Sequence, residues 1–96
     1  MYDYTGWIVR AAAGRDKGGL FCVVGVDQEQ GLLLLADGKR RRAARPKRKK
    51  PGHVQALTGH LSMFDHPAIE KLTQGGTLTD KELRRTLAAF RDEMEA

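Results

Sequence analysis

Cysteine, proline and aromatic residues are all scarce in this 96-residue sequence, and acidic residues are absent from one long stretch of it. The single cysteine, Cys22, excludes an internal disulfide and any cysteine zinc cluster. It lies in the apolar run FCVVGV, where a cysteine behaves as a small buried hydrophobe rather than a reactive thiol. Aromatic residues make up 6%, which limits base stacking if a nucleic acid is bound. Trp7, Phe21, Phe64 and Phe90 fall at core positions of strands or helices, which leaves Tyr2 and Tyr4 as candidate stackers. The longest apolar run, LLLLA, is far too short to span a bilayer. MYDYTGW lacks the charged start and apolar stretch of a signal peptide, so a cytoplasmic location is expected.

Catalytic and metal constellations are missing too. His53, His60 and His66 match no zinc spacing, and nothing supplies two further close ligands. Ser62, Cys22 and the scattered Asp and Glu show no nucleophile–base–orienter arrangement. Neither an enzyme nor a bound cofactor or metal is expected.

What the sequence has is positive charge, unevenly placed. GKRRRAARPKRKKPG, residues 38–52, holds nine Lys or Arg among fifteen residues and no acid. Residues 1–64 carry a net +7 and residues 65–96 a net −2. A solvated loop, a nuclear-localisation-like sequence and a nucleic-acid contact are three readings of the run. Like charges at this density repel one another and destabilise a compact fold unless a polyanion is near. The run is therefore expected to be mobile when free and ordered when bound. Lys and Arg on phosphate supply affinity with little sequence information. A basic patch without a stacking platform suits structured RNA read by backbone shape.

The run sits between candidate strands. GWIVRAA (6–12), LFCVVGVD (20–27) and LLLLAD (32–37) are rich in strand formers and bounded by turn signals, with Gly25 a candidate bulge. A fourth strand is expected near Arg42–Arg45, before Pro46, and a fifth at HVQAL (53–57). Five short strands with tight turns predict a mainly β fold, a small closed or nearly closed antiparallel barrel over residues 1–57. Residues 58–96 read as a helical extension packed on it. Thr79 and Glu82 form a capping-box pattern, and Leu83, Leu87, Phe90 and Met94 follow as one helical stripe. Asp65 is a candidate cap for a shorter helix through Leu72. Arg84 and Arg85 either extend the basic surface or balance the acidic first turn and C-terminus.

The first turn has its own logic. Gly14 and Gly18 can take positive φ in a sharp reversal, and Arg15 and Lys17 then project beside free backbone amides. GWIVRAAAGRDKGG followed by an apolar strand resembles the KOW motif, which several ribosomal and transcription proteins carry on an SH3-like barrel. Together with ADGK and RPKRKKPGHVQAL, the stretch 5–57 is similar to bacterial KOW-domain RNA-binding proteins, which are related to a large-subunit ribosomal protein of archaea and eukaryotes. KELRRTL resembles, more weakly, their C-terminal helix, whereas HLSMFDHPAIEKL has no counterpart there. The resemblance implies an SH3-like barrel and ribosomal RNA as the partner. The expected RNA-binding residues are Arg15, Lys17, Lys39, Arg40, Arg41, Arg42, Arg45, Lys47, Arg48, Lys49, Lys50 and His53 on one basic face. The expected role is that of a ribosome- or translation-associated factor, monomeric when free, with a ribosomal protein as a second candidate contact and no membrane contact. The alternatives are a docking module that works through its C-terminal helix and a non-specific DNA-binding protein.

Overall fold

The computed structural model describes residues 3–59 and 63–95. Its strands are β1 (Ile8–Ala11), β2 (Leu20–Asp27), β3 (Leu32–Ala36), β4 (Lys47–Lys49) and β5 (Val54–Ala56). Two helices follow, α1 (Pro67–Thr73) and α2 (Asp80–Glu95). The strands form one antiparallel sheet in the order β4-β3-β2-β1-β5. The helices hold as many residues as the strands, so the fold is mixed α/β rather than mainly β.

The sheet is open, not a closed barrel. Among the described residues no ladder joins its edge strands, β4 and β5. The physical reason is direction. Each neighbouring pair is antiparallel, so β4 and β5 run the same way. The link between them is residues 50–53, and strands paired in parallel need a crossover of about a dozen residues or more. The sheet is nevertheless curled. In a flat sheet β4 and β1 lie three strand spacings apart, about 14 Å. Yet Lys49 Nζ donates to the carbonyl of Ala13, just beyond β1, at 2.8 Å.

Curling explains why the strands read as continuous apolar runs. Alternate residues of β1 and β2 are buried on both faces. Ile8, Leu20, Cys22 and Ala36 pack against Ile69, Leu72, Leu83, Leu87 and Phe90 of the helices. Val9, Phe21, Val23, Leu33 and Leu35 form a second cluster on the opposite face. Cys22 is fully buried, and desolvation pushes its thiol up to about 12. The β2–β3 register shifts between Val23 and Gly25, which is the expected bulge.

Three local expectations need correction. Residues 42–45 form a turn, closed by Arg45 N–H donating to Arg42 O at 2.9 Å, and the fourth strand begins after Pro46. The cap of α1 is His66, not Asp65: its Nδ1 accepts from Ala68 N–H at 3.1 Å. Pro67 holds the residue before it in extended backbone, which is the geometry of a cap. Met94 leaves the core and is 46% exposed. The capping box of α2 forms as expected: Thr79 N–H donates to Glu82 Oε1 at 3.0 Å and Glu82 N–H to Thr79 Oγ1 at 3.1 Å. No helix among the described residues is long and apolar enough to cross a membrane.

Candidate nucleic-acid interface

The β1–β2 turn and the basic run come together around one acid. Gly14 and Gly18 both take positive φ in that turn, at 81° and 88°. Between them Asp16 is folded inward, and its side chain is 7% exposed. Arg41 Nη2 donates to Asp16 Oδ2 at 2.8 Å. That hydrogen bond holds the carboxyl below its ordinary value against the opposing effect of burial, and the charges of Arg41, Lys49 and Lys47 add to it. Lys49 comes so close that a Cβ on Gly14 would stand 2.8 Å from its Nζ. Arg15 and Lys17, either side of Asp16, are exposed at this junction.

The first half of the run is pinned rather than loose. Asp37 Oδ1 accepts from the backbone N–H of Lys39 at 2.9 Å and of Arg41 at 2.8 Å. Asp80, in the first turn of α2, accepts from Ala43 N–H at 2.7 Å. Arg84 Nη1 donates to Gly38 O at 2.7 Å, so it clamps the loop rather than balancing the helix's own acids. Gly38 has a φ of 76°, and a Cβ there would collide with the carbonyl oxygen of Asp80. Only glycine lets the loop lie this close to the helix. These contacts tie residues 38–43 to Asp37 and to α2.

The expected single basic face divides. Lys47 and Lys49 stand opposite Leu35 and Leu33 in the ladder, and Arg48 stands opposite Leu34, so β4 sends its cations to both sides of the sheet. Lys49 is 9% exposed and spends its ammonium on Ala13. Arg41 is committed to Asp16. Arg42 and Arg48 make long, exposed ion pairs with Asp80 (3.8 Å) and Asp27 (3.7 Å), contacts of little strength. Arg15, Lys17, Lys39, Arg40, Arg45 and Lys50 are exposed, and their charged groups have no partner among the described residues. Lys47 is half-buried and His53 exposed; the backbone of His53 closes the Pro51–His53 turn and accepts from Ala12 N–H at 2.9 Å.

Tyr4, a candidate stacker, is half-buried: it packs edge-on against Trp7 at 4.5 Å and against the second core cluster. Tyr2, His60 and Ser62 lie outside the described residues. The residues that sequence reasoning missed are the acids that organise the cations, Asp16 above all. The signal for it was present: it is the one acid in the turn GRDKG, flanked by two cations. Compared with family models and with curated proteins, the sequence has no match.

Proposed function

We propose that this protein binds structured RNA, ribosomal RNA in particular, and acts as a ribosome- or translation-associated factor. The observation that carries the reading is the convergence on Asp16 of the β1–β2 turn and the basic run, with cations on both that have no partner among the described residues. Asp16 and Asp80 tie the β1–β2 turn and α2 to the loop that carries Arg40 and Arg45, so these side chains, with Arg15 and Lys17, meet phosphate from a fixed frame. The resemblance of residues 5–57 to KOW-domain RNA-binding proteins supports the same partner. On this reading the curled sheet is an SH3-like arrangement whose β1–β2 turn is the KOW turn.

The mechanism is phosphate neutralisation with counterion release. With about five phosphates engaged, log K falls against log salt with a slope of roughly −3.5 to −4.5. The test is a salt titration of binding to a structured ribosomal RNA fragment, duplex DNA and single-stranded RNA. The wild type is compared with a variant carrying Arg40→Gln, Arg45→Gln, Lys47→Gln and Lys50→Gln, which leaves the structural Arg41 and Lys49 in place. Preference for structured RNA, lost with a flatter slope in the variant, is the expected result. Equal binding to all three nucleic acids would overturn it.

A docking role for α2 has one observation in its favour. The exposed Met94 borders an apolar groove of about 420 Å3 lined by Leu57, Met63, Phe64 and Phe90 among others. Partner binding that survives the four-residue variant and is lost in Met94→Glu would favour that role.

A further inference from the structure

A second cationic feature lies on the helix side of the loop. Asp37, Lys39, Arg84, Leu87 and Arg91 line a pocket of about 180 Å3. That is well below the roughly 300–1,000 Å3 of pockets that enclose a drug-sized ligand, and it suits a single phosphoryl group. Arg84, Leu87 and Arg91 fall on one face of α2 by helical spacing. Leu87 is buried and forms an apolar floor. Arg84 is fixed in place by its bond to Gly38 O.

The charges are unbalanced. Three cations face one carboxylate, and Asp37 Oδ1 is already engaged by the amides of Lys39 and Arg41. The charged groups of Lys39 and Arg91 are exposed and have no partner among the described residues. Cations gathered in so small a space repel one another until an anion sits between them. Two guanidinium groups and an ammonium are the donor set that phosphate oxygens take.

We infer that this pocket binds one phosphate of the RNA backbone, which makes α2 part of the nucleic-acid surface. The inference rests on the RNA-binding reading above and adds Arg84 and Arg91 to it.

The test separates the pocket from the general charge of the helix. Arg91→Gln and Arg85→Gln remove one exposed charge each from the same helix, and Arg85 does not line the pocket. The full chain is titrated with structured RNA. Arg91→Gln is expected to weaken binding about ten-fold and to flatten the salt slope by about 0.7–0.9, with Arg85→Gln near wild type. Equal, small losses in the two variants would overturn the RNA assignment. A second arm uses inorganic phosphate at constant ionic strength and reads amide shifts. Saturable shifts at Gly38, Lys39 and Arg91 that vanish in Arg91→Gln support a phosphate site. If the wild type shows no preference for structured RNA, the function reading fails, and the phosphate arm alone decides the pocket. No saturable shift in that case overturns it.

Discussion

In the loop of residues 38–45, the fixed points are acids and one arginine on other elements. In β4, two residues further on, they are the sheet ladder and a single carbonyl. Both stretches belong to one basic run, yet the loop is held by Asp37, Asp16, Asp80 and Arg84, and the strand by β3 and Ala13. The comparison teaches that charge density alone does not say which cations are free. Lys49 and Lys50 are neighbours of the same type, and the first is structural while the second faces water.

The sharpest way to break the loop's anchoring is Gly38→Ala. It adds backbone strain and a clash with Asp80, for a loss of about 2–4 kcal/mol in urea unfolding. Gly18→Ala is the control: φ is 88° there with nothing within 4 Å, so backbone strain alone applies, about 1–2 kcal/mol. Equal losses would mean that the Gly38–helix contact contributes nothing.

Asp16→Asn removes the carboxylate charge that Arg41 bonds, with an expected cost of about 1–3 kcal/mol at neutral pH. The sign of its pH dependence follows from the lowered carboxyl. Its contribution is complete above the ordinary value of 3.8 and is lost as pH falls through the lower value of the folded state. The wild type should therefore lose stability over that acid range by more than Asp16→Asn does. Parallel acid unfolding curves would refute the role.

Lys49→Ala and Lys50→Ala test the neighbouring pair. The first should cost about 1–2 kcal/mol of stability, because it uncovers the Ala13 carbonyl. The second should leave stability unchanged and flatten the RNA salt slope by about 0.7–0.9. Thr79→Ala should cost about 1 kcal/mol of stability through loss of the capping bond. Because Asp80 and Arg84 reach the loop from this turn, amide exchange should quicken at Ala43 and not at Arg48. Uniform quickening would show that the loop and the strand are one unit.

Much of the architecture was legible in the sequence. The second strand, the Gly25 bulge, the positive-φ glycines of the first turn and the Thr79–Glu82 box all stand where pattern put them. The fourth strand was displaced because Pro46 and the Arg42–Arg45 turn outweighed the apparent strand signal. The closed barrel was not legible, since closure depends on the relative directions of β4 and β5 rather than on strand count. At the candidate site, the list of cations could be read directly, but their division into structural and free could not.

That division has a physical cause. Turns, bulges and caps are decided by residues a few positions apart, so the sequence by itself determined them. The contacts that sort the cations span much longer separations: 25 residues from Asp16 to Arg41, 36 from Ala13 to Lys49 and 46 from Gly38 to Arg84. Only the curling of the sheet and the docking of α2 bring those partners together, and so only the tertiary structure decided which positive charges remain for a phosphate.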